Sequence, residues 1–201
     1  MKLLHINGPW PLCTNTFLII TEGGHGIAID PAADPARYLD PLKEAGATLS
    51  HIFLTHGHYD HVGTVAALKR QTGAKVMMDP ADAQGTQMFP LTRDLVDEAW
   101  PENGTVTVDE LTFRVWHTPG HSQGSVCLAC GGYLFSGDTL FAMSCGRVDL
   151  PGGDPEQMRR SLSLVADLPL PDETQVLPGH ESFSTLGKER RSNPYLLGEW
   201  Y

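Results

Sequence analysis

The nine residues Thr55-His56-Gly57-His58-Tyr59-Asp60-His61-Val62-Gly63 place three imidazoles and one carboxylate within six consecutive positions. Imidazole and carboxylate are ligands for divalent zinc, iron or manganese, and four of them in one turn point to two ions rather than one. Three His and one Asp at this density have no structural use of their own in a polar loop. The stretch follows the apolar run Ile52-Phe53-Leu54, which reads as a short buried strand. Residues 62–72, with apolar side chains at Val62, Val65, Ala66 and Leu68, read as a helix. The cluster is therefore expected in the turn where a strand stops and a helix starts. In extended backbone His56 and His58 point the same way, because strand side chains alternate with period two. Asp60 and His61 then enter the first helical turn and aim at a second point nearby.

His-x-His-x-Asp-His is followed by further blocks. Thr118-Pro119-Gly120-His121-Ser122-Gln123-Gly124-Ser125 comes first, then Ser136-Gly137-Asp138-Thr139-Leu140-Phe141 and residues 145–154, which begin Cys145-Gly146-Arg147. Leu177-Pro178-Gly179-His180-Glu181 and residues 189–195 complete the set. In content and order these blocks resemble the metallo-β-lactamase-fold hydrolases, most closely the short glyoxalase II-like (hydroxyacylglutathione hydrolase-like) branch. The resemblance implies an α+β four-layer αββα sandwich. It also implies His56, His58 and His121 at one metal ion, Asp60, His61 and His180 at a second, and Asp138 bridging the two. Gly120, Gly137 and Gly179 directly precede His121, Asp138 and His180, and glycine tolerates the backbone angles of a sharp turn.

Seven nitrogen and oxygen donors without a thiolate discriminate weakly among metals, so two divalent ions are expected, zinc first, with iron or manganese as alternatives. Bridged ions about 3.5–4 Å apart lower the pKa of bound water to about 7, which gives a bridging hydroxide able to attack a carbonyl. Asp60 would orient that hydroxide. A thiolate leaves as a weak base, so hydrolysis of a thioester is the expected reaction, with S-D-lactoylglutathione or a related small acyl-thiol as substrate. Arg147 falls where glyoxalase II enzymes carry a basic residue beside the thioester and is the candidate for substrate binding. Full-size glyoxalase II enzymes append a helical domain that holds glutathione. About twenty residues follow His180 here, so one domain over residues 1–201 without that appendage is expected. The same motifs resemble the persulfide dioxygenases, in which one iron uses two His and one Asp and keeps positions open for oxygen. β-Lactam hydrolysis is not expected, because β-lactamases usually carry Arg or Cys where this chain has His61.

The elements that must position these residues alternate along the chain. Strands are expected at residues 3–6, 16–20, 27–29, 49–55 and 75–78, and hairpins at 105–117 and 126–136, the second turned at Gly131-Gly132. A last strand is expected at 175–177, and helices at 35–45, 155–167 and from 185 to Asn193-Pro194, where proline stops the chain. Asn15 lies in a segment resembling one near the metal site, and Asp30 where the resemblance places a carboxylate that buttresses the metal loop. Residues 79–104, rich in Pro, Asp and Gln, are expected to form loops or short helices rimming the cleft.

At 201 residues with 41% hydrophobic content, the chain suits a single core burying about 70% of its unfolded surface. The net charge of −10 argues against a nucleic-acid partner. No apolar run approaches the roughly 18 residues of a membrane span, and the N-terminus lacks a signal peptide's apolar core, so no membrane partner and a cytoplasmic location are expected. The expected partner is a small-molecule thioester, and the expected state a monomer or weak homodimer. Cys127 and Cys130, three apart in a predicted strand, should face opposite ways and act as buried structural thiols.

Overall fold

The computed structural model describes residues 1–102 and 104–199. Strand β1 (Lys2–Asn7) pairs antiparallel with β2 (Asn15–Ile20), and β2 pairs antiparallel with β3 (His25–Ile29). Strands β4 (Thr48–Phe53) and β5 (Lys75–Met77) continue the sheet in parallel. β2 is buried at every position, which its apolar run requires. Phe17 and Ile19 enter one core, while Leu18 and Ile20 enter another on the opposite face.

The second sheet contains β6 (Thr105–Val108), β7 (Leu111–His117), β8 (Val126–Cys130) and β9 (Tyr133–Gly137), with a short ribbon of β10 (Leu140–Phe141) and β11 (Ser144–Cys145) beside it. Strands β12 (Gln175–Pro178) and β13 (Ser184–Thr185) complete it in the order β13-β12-β9-β8-β7-β6, with β12 parallel to β9. The two sheets face each other across Phe17, Ile29, Phe53, Phe113 and Phe135. Phe53 stands edge-on to both Trp100 and Phe113, each at 5.1 Å.

Helices α1 (Ala36–Glu44) and α2 (Val65–Thr72) cover the first sheet through Tyr38, Leu42, Val65 and Leu68. Helices α3 (Pro155–Ala166) and α4 (Leu186–Ser192) cover the second through Met158, Leu162, Val165 and Leu186. The result is the four-layer αββα sandwich. Asp154 caps α3 by accepting from the Glu156 and Gln157 amides at 2.8 and 3.0 Å, with Pro155 in the first turn. Cys127 faces the α3 layer and Cys130 the core between the sheets, as the strand period requires.

Two expectations need correction. The strand before the first cluster ends at Phe53 rather than Thr55, and α2 begins at Val65 rather than Val62. Residues 54–64 are therefore a loop, so His56 and His58 do not share an extended strand and Asp60 and His61 precede the helix. The cause is a tie to β3: Asp30, at φ +47°, accepts from the Thr55 amide at 2.7 Å and the Thr55 hydroxyl at 2.6 Å. Residues 79–102 contain two single turns of 3₁₀ helix, Pro80–Asp82 and Arg93–Leu95. Among the described residues no helix is long and apolar enough to cross a membrane.

Candidate metal centre

Four chain segments meet at one edge of the sandwich. Residues 56–61 follow β4, His121 follows β7, Asp138 follows β9 and His180 follows β12. Their donors form two groups, His56, His58 and His121 in one and Asp60, His61 and His180 in the other. His58 Nδ1 lies 2.8 Å from His121 Nε2, and His61 Nε2 lies 3.3 Å from His180 Nε2. Asp138 stands between the groups, with Oδ2 3.4 Å from His121 Nε2 and Oδ1 3.4 Å from His61 Nε2. Oδ2 is also 3.6 Å from His180 Nε2. All seven sequence-predicted donors are thus together.

These donors fit divalent ions. His56 Nε2 and Asp138 Oδ1 are buried without a hydrogen-bond partner, and such atoms are costly unless something else satisfies them. Asp30 also lies within reach of His56 and His61. Its oxygens, however, already accept from Thr55 and face His61 Nδ1 at 3.1 Å, so it orients that ring rather than offering itself as a donor.

The positioning residues come from distant parts of the chain. Asn15 donates from Nδ2 to the Pro178 and Glu181 carbonyls, both at 3.0 Å, and fixes the turn that carries His180. Its own amide donates to Gly179 at 2.7 Å. Gly120 and Gly137 do take positive φ, +143° and +50°, as expected of sharp turns. Gly179 does not, and its reason is space: a Cβ there would lie 2.2 Å from Asp138 Oδ1. In the tail motif Asn193 donates to the Phe141 and Ser144 carbonyls at 3.2 and 3.0 Å, while buried Glu189 accepts from the Met143 amide at 2.7 Å. Residues 189–193 therefore hold the ribbon of β10 and β11, which forms one wall of the site. Sequence reading flagged the motif but not this role. The other histidines are engaged elsewhere: His5 with Asn15, His25 with Asp109, His51 with Ser50 and His117 with Asp79.

The two groups differ electrically. Burial, then the neighbouring imidazoles, push His56 well below the ordinary histidine value, and burial and His121 hold His58 at about 4. Burial opposes charge at His61 too, but Asp138, Asp30 and Asp60 outweigh it and hold His61 at about 9. His180 is raised against the same burial by its contact with Asp60. Asp60 is driven well below the carboxylate range, because His180 and His61 overcome its desolvation. In the metal-free protein His56 and His58 thus favour neutral rings, and His61 and His180 favour imidazolium paired with carboxylate.

A cavity of about 460 Å³ opens over the donors, with Leu12, Tyr59, Met88, Phe141 and Leu150 among its walls. Arg147 is the one Lys or Arg among the described lining residues. Its guanidinium is held by both oxygens of Asp149, at 2.6 and 2.7 Å, and its carbonyl lies 2.8 Å from His121 Nδ1.

Known proteins resemble this chain in sequence and fold. The profile of the Metallo-beta-lactamase superfamily matches residues 10–180. The chain belongs to this superfamily. Within the metallo-beta-lactamase superfamily it is 31% identical to the hydroxyacylglutathione hydrolase GloC of Haemophilus influenzae, over 90% of this chain and 92% of that one. Among solved structures, ETHE1 from Myxococcus xanthus superposes with a TM-score of 0.85 at 31% identity, covering 98% of this chain and 85% of that one. TTHA1623 in a di-iron-bound form gives 0.79 at 37% identity, covering 96% and 100%. The B3 metallo-beta-lactamase BLEG-1 gives 0.82 at 33% identity, covering 97% and 99%. The family and the donor set together make this chain a metal-dependent hydrolase by kinship.

Proposed function

We propose that this superfamily member hydrolyses thioesters, S-D-lactoylglutathione or a related small acyl-thiol, at a site holding two divalent ions. The observation that carries the reading is Asp138, set between two complete three-donor groups on the floor of a cavity with apolar walls. His56, His58 and His121 would hold one ion, Asp60, His61 and His180 the other, and Asp138 both. Bound there, the ions would supply an activated water and an electrophile for the carbonyl, with zinc, iron and manganese all suited to the donors. Asp60 Oδ2, 3.1 Å from His180 Nε2 and 3.2 Å from the Thr14 hydroxyl that donates to it, is held where it can orient the attacking water. Leu12, Met88, Phe141 and Leu150 exclude bulk water and take the apolar part of the substrate. Kinship to GloC supports this reading over other hydrolyses.

Steady-state kinetics on a thioester panel, with the protein loaded separately with zinc, iron and manganese, tests the proposal. Turnover of S-D-lactoylglutathione or a smaller acyl-thiol with about two ions per chain is the expected result. No thioester turnover with any metal would overturn it, whatever the rate on a β-lactam. The second reading is an iron persulfide dioxygenase, which the likeness to ETHE1 favours. It requires oxygen uptake with glutathione persulfide at one iron per chain.

Arg147 would bind the substrate through the N–H groups that Asp149 leaves unused. Arg147→Ala is expected to raise KM about three- to tenfold with kcat and metal content nearly unchanged, because the His121 contact uses the main-chain carbonyl. Unaltered KM in that variant would remove Arg147 from the binding site.

A further inference from the structure

The two loops of the first donor group are joined by a residue that is not a donor. Asp82 is fully buried, at 0% exposure, in the turn Pro80–Asp82, which Asp79 caps by accepting from the Ala81 amide at 2.9 Å. Its Oδ2 accepts from the Gly57 amide at 2.9 Å and from the Ser122 hydroxyl at 2.7 Å, and its Oδ1 accepts from the Gly124 amide at 2.9 Å. Gly57 lies between His56 and His58, and Ser122 directly follows His121. We infer that Asp82 is the positioning residue that sets the His56–His58 loop against the His121 loop, and with it the geometry of the first metal site.

Two glycines make sense only in this light. A Cβ on Gly57 would lie 2.6 Å from the Asp82 Cβ and 2.8 Å from its carbonyl oxygen. A Cβ on Gly124 would lie 2.8 Å from the Asp82 Cγ. The glycine of His-Gly-His and the glycine of Ser-Gln-Gly-Ser are therefore the spaces through which one carboxylate reaches both loops. The bonds extend one step further, since the Ser122 and Ser125 hydroxyls lie 2.8 Å apart and Ser125 accepts from the Ser122 amide at 3.2 Å. A carboxylate buried without partners would be strongly unfavourable, and these three donors satisfy it. What the clamp fixes is the 2.8 Å approach of His58 Nδ1 to His121 Nε2. Among the described bonds Asp82 makes none to residues 59–61 or to the turn carrying His180, and its one bond to the 54–64 loop falls at Gly57, between the two histidines of the first group. Asp82 touches no reacting atom, so its effect is on metal affinity at one site.

The inference rests on the assignment of the two donor groups given above, and metal titration separates the two ideas. In Asp82→Asn the amide keeps the shape but turns an NH₂ toward at least one of the donors. Stepwise zinc affinities are measured by competition with a chromophoric chelator, and cobalt absorption identifies which donor group is filled. Affinity at the three-histidine group is expected to fall about ten- to a hundredfold, with the other group within about threefold of wild type. Leu111→Ala, which shortens a buried side chain between the sheets at the opposite end of β7 from His121, controls for general loosening. It should lower the melting temperature without moving either affinity. Ser122→Ala removes a single bond of the clamp and is expected to weaken the same group about threefold, and it decides the matter if Asp82→Asn does not fold. Equal losses at both groups, or no loss at the first in Ser122→Ala, would overturn the role of Asp82. Failure of the wild type to fill the three-histidine group would instead overturn the donor assignment.

Discussion

Asp138→Ala is expected to reduce bound metal from about two ions to well below one per chain and to cut turnover on the order of a thousandfold. The basis is placement: its two oxygens lie 3.4 Å from His61 Nε2 and from His121 Nε2, one ring from each donor group. Removing any one histidine leaves a second group intact, whereas removing Asp138 takes an oxygen from both. It also takes away the negative charge that lets His61, His180 and two cations occupy one small volume. Asn15→Ala is the comparison, because Asn15 acts on the same site through the Pro178 and Glu181 carbonyls without touching an ion. Loss of such a support costs about ten- to a hundredfold in affinity or activity. Elemental analysis and initial rates on the two variants, prepared side by side, give the answer. Comparable losses in both would mean that Asp138 is one support among several rather than the shared donor.

The contrast between these residues also explains what could be read before the structure was seen. Residues 56–61 are legible because four donors are local in the chain, so their density is visible without knowing the fold. His121, Asp138 and His180 are single residues far apart, and only their blocks and order marked them. Asn15 was marked only by the resemblance of its segment, and Asp82 by nothing. Asp82 acts on backbone amides 25 and 42 positions away, and nothing in a sequence distinguishes a buried Asp from the many exposed ones. The strands of the two sheets were readable because β2, over Phe17 to Ile20, and β8 are apolar on both faces, which only a sheet covered on both sides explains. The ribbon of β10 and β11, two residues on each side, is too short for any periodicity. It exists because Asn193 and Glu189 tie it to α4. The late start of α2 has the same kind of cause: apolar spacing admits Val62 to the helix, but Asp30 holds Thr55 and His61 and keeps the chain in a loop.

Zinc is expected to bind the Asp60, His61 and His180 group about tenfold more weakly for each pH unit below about 9, a dependence to which His56 and His58 of the other group add nothing above about pH 5. A ring nitrogen must be free of its proton to hold an ion. At His61 burial works against the proton, but Asp138, Asp30 and Asp60 retain it up to about 9 in the metal-free protein. Zinc must displace that proton at neutral pH, so affinity rises with pH and levels off above about 9. His180, raised by Asp60 and Asp138 against its own burial, steepens the dependence wherever it too is charged. His56 and His58 run the other way: burial and neighbouring rings keep them neutral, His58 down to about 4, so no proton from either opposes the ion. Affinity therefore rises with pH where His61 must lose a proton and is flat where a ring is already neutral. Chelator competition between pH 6 and 9 should show the two stepwise constants diverging as pH falls, with a one-ion form dominant near pH 6. Titration calorimetry in buffers of different ionisation heat should register about one to two protons released with one of the ions and few with the other. Parallel pH slopes for the two ions, or no proton release at neutral pH, would mean that the carboxylates around His61 do not hold the charge that their distances imply.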